Sequence, residues 1–325
     1  MNKHLLISCD LSIQYRNLVG SGLLNYLSNS FSSITLVYNH YVIKETGILP
    51  SNVKLVQLNK YSFQKIRTII YRAAHLYKAK SEPNKRLVHE RIIKGYGGIR
   101  HISIVSTLFG KYCKKLLLLL VKVDIQLNSR KFKKLGKFDL YFSTSFLWQS
   151  YDVLLGLYAQ KVGKPWIVQV TSWDNPSVKG DFIFIPDRVI VWGTQNYQEA
   201  IKYMKLRKER LVIIPPPHFN IIKNLNKKSI GPNQRKYIYY LGVTKSNYHW
   251  ESELLSLLLS YIEKYNDLKD IFILFRPHPN DRNIWWNEFL SHPNFKLDYE
   301  VTNRTSNHTV FNLDFTSLSN FYENI

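Results

Sequence analysis

"HLLISC" (4–9), "NLVGSGLLNYLSNSF" (17–31) and "SITLVYNH" (33–40) open the chain. The first is an apolar run that reads as a buried strand, with Asp10 at its carboxyl end. In the second, Leu23, Leu24 and Leu27 form one face of a helix behind Gly20 and Gly22. The third is another strand, ending at His40. Strand, loop, helix, strand in this order begins a doubly wound parallel sheet, so the fold class is α/β. Ligands bind such sheets at the carboxyl ends of the strands, which makes Asp10 and His40 candidate bases on one edge. Gly20 and Gly22 allow a ligand close to the backbone, although their spacing is not the GxGxxG dinucleotide fingerprint.

The same rhythm runs on. "NVKLVQL" (52–58) reads as a third strand and "FDLYFST" (138–144) as a fourth. A helix then runs to Gly163, with Pro165 just beyond as a stop signal. "PWIVQVT" (165–171) and "PDRVIVWG" (186–193) are strands, and Thr194 is an N-cap candidate for the helix "TQNYQEAIKYMK". "ERLVIIPPP" (209–217) is a short strand closed by prolines. Residues 218–236 are polar, basic and aperiodic, and read as a linker. Beyond them "YIYYLGV", "IFILFRPHP" and "FKLDYE" alternate with helical stretches, as a second and shorter unit of the same kind. The expected organisation is a first domain over 1–217, a linker over 218–236 and a partial second domain over 237–325. A length of 325 residues agrees with more than one core.

Hydrophobic residues make up 45% of the chain and aromatics 14%, enough for folded protein. The net charge of +22 is the compositional anomaly, and it is local. Between Lys60 and Lys137 stand 20 Lys or Arg against three acids, Glu82, Glu90 and Asp124. In that segment the stretch "FQKIRTIIYRAAHLY" places Ile66, Ile69, Ile70, Ala73 and Leu76 on one helical stripe flanked by basic residues. Such helices lie on anionic lipid or present a solvated face, and both readings stay open. Nucleic-acid binding shares the charge argument, but no helix-turn-helix, RRM or zinc-finger pattern supports it.

Cys9 and Cys113 are the only cysteines. There is no disulfide framework and no CxxC, HExxH or clustered His/Cys ligand set, so no metal site is expected. The apolar run before Cys9 is too short for a signal-peptide core, and Lys122 interrupts "LLLLLVKV" (116–123). The expected location is the cytoplasm, with peripheral contact at the inner membrane face as the alternative.

Three strings carry candidate chemistry. "VTSWDNPSVKG" (170–180) follows a strand and sets Trp173, Asp174, Asn175 and Lys179 at its mouth. "FILFRPHPND" (272–281) ends a buried strand in Arg276 and His278, stiffened by prolines, and arginine's planar fork suits phosphate. "YYLGVTKSNYHW" (239–250) offers Gly242, Thr244 and Lys245 as a short phosphate-holding loop, without the spacing of a P-loop. No GxSxG elbow is present.

In this order, "SWDNPSVKG", "PDRVIVWGTQNYQEAIKYM", "VIIPPPHF", "YYLGV" and "RPHP" resemble a group of bacterial cell-surface polysaccharide glycosyltransferase-like proteins. These are of the two-Rossmann GT-B type and are related to the CDP-glycerol glycerophosphotransferases. The resemblance covers roughly residues 137 to 325. It implies two Rossmann-like domains facing a cleft, the second incomplete, and sugar transfer from a nucleotide-activated donor to a polysaccharide or lipid-linked acceptor. It implies that Trp173 stacks on a sugar ring while Asp174 and Asn175 bind hydroxyls, with Lys179 beside them. Arg276, His278 and the loop from Gly242 through Thr244 to Lys245 would meet the donor diphosphate, with no metal or other cofactor. Asp10, His40 and Asp174 are the candidate bases. The resembling proteins continue past the equivalent of "LDFTSLSNFYENI" into a glutamate-bearing helix, so the expectation is a truncated relative. Its alternatives are a catalytically impaired membrane- or polyanion-binding module and a polyol-phosphate transferase.

Overall fold

The computed structural model describes residues 3–9, 12–38, 49–57, 64–80, 100–127, 129–145, 152–178, 182, 184–217, 219, 237–243, 250–277 and 285–298. The chain divides into two compact units, Met1–Asn224 and Leu225–Ile325.

The first unit is built on seven parallel strands: β1 (His4–Cys9), β2 (Ser33–Tyr38), β3 (Val53–Gln57), β4 (Leu140–Ser143), β5 (Trp166–Gln169), β6 (Arg188–Val191) and β7 (Leu211–Ile213). Their order is β3-β2-β1-β4-β5-β6-β7. The winding therefore runs outward from β1 in one direction and from β4 in the other, with the reversal between β1 and β4. Register there pairs Leu6 with Tyr141 and Ser8 with Ser143.

Alternate residues of each strand enter different cores, as expected of strands covered on both faces. Leu5, Ile7, Cys9, Ile34, Leu36 and Phe142 pack with Leu18 and Leu24 on one face. Leu24 belongs to α2 (Leu23–Ser30), which follows α1 (Ser12–Tyr15) and a π turn (Arg16–Gly20). Leu6, Val37, Tyr141, Val168 and Val189 face the other core. That second core takes side chains from α3 (Gln64–Lys80), α4 (Arg100–Leu127), α5 (Ser129–Lys133), α6 (Asp152–Lys161) and α8 (Thr194–Met204). A short helix, α7 (Asn175–Val178), lies between β5 and β6.

Two local expectations need correcting. Gly193, in extended backbone, occupies the N-cap of α8, so Thr194 is the first helical residue and caps nothing. In α3, Ile70, Ala73 and Leu76 are buried but Ile66 and Ile69 are exposed. All five lie on one face by helical spacing, so the covering layer ends before the first turns of α3.

The second unit carries three parallel strands, β8 (Tyr237–Leu241), β9 (Phe272–Arg276) and β10 (Phe295–Leu297), in the order β10-β9-β8. α9 (Glu251–Lys264) connects β8 to β9 and buries Leu255, Leu259 and Ile262. Phe275 sits among Tyr240, Trp285, Trp286 and Phe295, with ring centroids 5.6 to 5.9 Å apart. The architecture is thus α/β, with a seven-stranded parallel sheet and a second, smaller one.

Close packing of α6 on β5 depends on a missing side chain. A Cβ at Gly156 would run into the indole of Trp166, which is fully buried. We expect Gly156→Ala to lower the unfolding free energy in urea by about 1–3 kcal/mol, with the far-ultraviolet spectrum unchanged before the transition. A wild-type midpoint would mean that α6 shifts away from Trp166 at no cost.

Candidate active site

The reversal of winding between β1 and β4 is where doubly wound sheets bind ligands, at the carboxyl edge. The described side chains gathered beneath that edge are polar and buried. Asp152, the first residue of α6, is fully buried. The Ser8 hydroxyl of β1 donates a short hydrogen bond to its Oδ1. Gln14 of α1 donates from Nε2 to its Oδ2 at 2.8 Å. The Tyr141 hydroxyl of β4 lies 2.7 Å from Ser8 Oγ and 3.2 Å from the Asp152 carbonyl oxygen. Burial first, and the neighbouring Asp152 charge second, push the Tyr141 hydroxyl well above its ordinary range, so it stays protonated and serves as a donor. A buried carboxylate needs this degree of hydrogen bonding to be tolerated.

Hydroxyl side chains extend the sheet past its last backbone pairs. Thr144 Oγ1 donates to the Ser8 carbonyl at 3.5 Å, and Thr171 Oγ1 donates to the Thr144 carbonyl at 3.4 Å. Trp192 Nε1 donates to the Val170 carbonyl at 2.7 Å, which carries the stitching on to β6. Ser143 donates to the carbonyl of Ser145. Thr144, Ser145 and Thr171 are buried, so they fix the edge and do not face solvent.

The turn after β5 faces solvent. Trp173 is 61% exposed although its backbone is held: its carbonyl accepts from Asn196 Nδ2 at 2.5 Å. The Asp174 carbonyl accepts from the Ser177 amide at 3.2 Å and the Ser177 hydroxyl at 3.1 Å. Asn175 is buried, and with its amide oriented to satisfy both ends its oxygen accepts from the Ser172 N–H at 2.8 Å and the Thr171 N–H at 3.3 Å. Its oxygen works within the turn, not toward a ligand. Among the described residues of this stretch Trp173 is the exposed one, with the half-buried Asp174 beside it. Upstream, Gly20 ends the π turn, and Gly22 holds φ +77° as the N-cap of α2, a left-handed conformation that favours glycine.

In the second unit, Gly242 and Arg276 meet at the ends of β8 and β9. Gly242 donates its N–H to the Arg276 carbonyl at 2.8 Å, and a Cβ at this position would lie 2.9 Å from the Phe275 ring. Val243 donates its N–H to Oε1 of the buried Glu251 at 2.8 Å. Both amides of this short stretch are thus engaged inside the unit. Arg276 Nη1 lies 3.3 Å from Asp298 Oδ2 and 3.3 Å from the Tyr239 hydroxyl, which itself donates to Asp298 Oδ2 at 2.6 Å. The guanidinium is turned sideways along the sheet, with its side chain only 18% exposed, and is not held out from the turn. Burial first and the Asp298 hydrogen bond second push Tyr239 up to about 12. Burial and then the Glu251 charge do the same for Tyr240, also to about 12. Asp10, His40, Lys179, Thr244, Lys245 and His278 lie outside the described residues.

Sequence reading passes over Ser8, Gln14, Tyr141 and Asp152. The available signal was three consecutive hydroxyl residues, Ser143, Thr144 and Ser145, at the end of an apolar strand. Among the described residues no group of His, Cys, Asp and Glu is arranged to hold a metal ion.

No protein-family model matches the chain. No curated protein matches it. Among solved structures it is similar to S. aureus MnaA in a UDP co-structure, at TM-score 0.49 and 12% identity over 99% of this chain and 72% of that one. It is also similar to a glycosyltransferase from Rickettsia africae ESF-5, at TM-score 0.42 and 11% identity over 91% and 68%. A third is Acinetobacter baumannii MurG, at TM-score 0.38 and 10% identity over 91% and 67%. The fold assignment rests on the strand order and register above.

Two expectations follow from the buried network. Asp152→Ala leaves Ser8, Gln14 and Tyr141 without their shared acceptor and is expected to cost about 3 kcal/mol in urea unfolding, with Asp152→Asn costing less. Equal costs would mean that the charge is irrelevant. Tyr141 has a raised folded-state pKa, so its contribution is fully present below the unfolded value of about 10 and is lost as pH rises above it. Stability of the first unit should fall above about pH 10, and Tyr141→Phe should flatten that alkaline slope.

Proposed function

We propose that the protein is a glycosyltransferase that moves a sugar from a nucleotide-activated donor to a cell-surface polysaccharide or lipid-linked acceptor. The observation that carries this reading is Trp173: a large aromatic face presented to solvent on a backbone fixed by Asn196, beside Asp174, at the carboxyl edge of a doubly wound sheet. An indole held in this way suits the apolar face of a sugar ring, and an adjacent carboxylate suits its hydroxyls. The order of motifs from "SWDN" to "RPHP" supports the same class.

In this reading the first unit holds the acceptor. A base drawn from Asp10, His40 and Asp174 takes the proton of the acceptor hydroxyl as its oxygen attacks the anomeric carbon of the donor sugar. The bond from that carbon to the diphosphate oxygen breaks, and the nucleoside diphosphate leaves with the electron pair. Gly20 and Gly22 leave room near the backbone, and Lys179 is a further candidate for holding the substrate. The second unit holds the donor, with Thr244, Lys245 and His278 meeting the leaving diphosphate. Gly242 shapes that loop, and Arg276 reaches the phosphate only by sharing or giving up Asp298.

Calorimetry with nucleoside diphosphates and nucleotide sugars tests the reading directly. Binding of at least one nucleotide sugar is expected, and failure of the whole set overturns the proposal. Trp173→Ala should leave donor binding intact and raise the acceptor KM roughly three- to tenfold. A loss of donor binding instead would place Trp173 in the wrong role.

A further inference from the structure

We propose that the outer face of α4 is a docking surface for an anionic lipid bilayer, on which the helix lies flat. α4 is 28 residues long, or about 42 Å. Its inner face is settled: Ser106, Gly110, Cys113, Leu117, Val121 and Asp124 are buried against the first unit. On the opposite side Ile104, Leu108, Tyr112 and Leu119 are each more than half exposed. Lys111, Lys115 and Lys122 are exposed among them. At the rotation of an α-helix these seven residues fall within an arc of about 100°.

Isolated exposed apolar side chains are ordinary, but a contiguous stripe of them on a surface helix marks an interaction face. The interleaved charge selects the occupant. Asp124 is the one acid in α4 and it is fully buried, so the exposed face is purely cationic. The positive strip continues past the helix into α5 at Arg130 and Lys133, both exposed. Lysines that snorkel around leucine, isoleucine and tyrosine match a bilayer interface, where phosphates sit above hydrocarbon. A second copy of the chain fits poorly, since two-fold pairing of this face would set the lysines against their own copies. A nucleic acid would satisfy the lysines and leave the leucines wet. None of the described helices is long and apolar enough to cross a membrane, which agrees with a helix that lies on the bilayer.

The proposal does not depend on the glycosyltransferase reading, and vesicle binding and nucleotide-sugar binding are read in separate experiments. The full chain is sedimented with phosphatidylglycerol-containing vesicles and with pure phosphatidylcholine vesicles, at low and high ionic strength. We expect capture by the anionic vesicles only, weakened by salt. The triple variant Lys111→Glu, Lys115→Glu, Lys122→Glu should lower the partition coefficient on the order of a hundredfold or more. Leu108→Ser with Leu119→Ser should lower it as well while leaving the charge in place. These positions are exposed, so both variants should melt like the parent. Equal capture by neutral vesicles, insensitivity to both variants, preference for a nucleic acid over anionic vesicles, or a dimer that the leucine variant dissociates would each overturn the proposal.

Discussion

Asp152 holds the seam at which the first sheet reverses its winding. Its carboxylate joins Ser8 of β1, Gln14 of α1 and, through Ser8, Tyr141 of β4, while its own backbone begins α6. Four elements from two distant stretches of the chain thereby share one anchor. Position helps, because a carboxylate in the first turn of a helix sits at the positive end of the helix dipole. The loops that leave β1 and β4 start from fixed points, and the hydroxyl stitching by Thr144 and Thr171 carries that rigidity across to β5. Trp173 stands exposed on a turn whose backbone is tied by Asn196 and whose strand end is tied by Thr171.

The strands and the parallel layout were legible because buried parallel strands are short apolar runs separated by helical spacing, and Gly163 and Pro165 ended α6 close to where they should. The polar seam was not legible. Ser8 and Asp152 are separated by 144 positions, and a serine inside "LLISC" looks like an interruption until a carboxylate is found beneath it. Two aspartates show the converse. Asp139 accepts the His4 N–H at 3.0 Å, and Asp187 accepts the Trp166 N–H at 2.8 Å, so each latches the amino end of a neighbouring strand. The His4 amide first, and Lys164 second, hold the Asp139 carboxyl below its ordinary range. Both precede a strand in sequence, whereas ligand-facing groups follow one, and that difference of side is readable without a structure.

In the second unit, neighbours within the sheet govern the residues that the motifs single out. "RPHP" suggested an arginine held out for phosphate because prolines stiffen the turn. Proline governs the backbone after Arg276, but the guanidinium answers to what lies beside β9. Asp298, at the end of β10, and Tyr239, on β8, are both within 3.3 Å, and they draw it along the sheet. The same applies to Gly242. The glycine is required because Phe275 fills the space a Cβ would take, a packing reason that does not call on a ligand.

The placement of charge is local in the structure as it is in the sequence. A net charge of +22 could have meant a site crowded with cations at the strand ends. Instead the described carboxyl edge of the first sheet sets the exposed Trp173 and the half-buried Asp174 above buried hydroxyls and amides. Six lysines stand on α4 and α5, which pack on the face of the sheet through the core shared with Tyr141 and Trp166. The cationic strip thus belongs to the helical layer, and the exposed Trp173 belongs to the turn after β5.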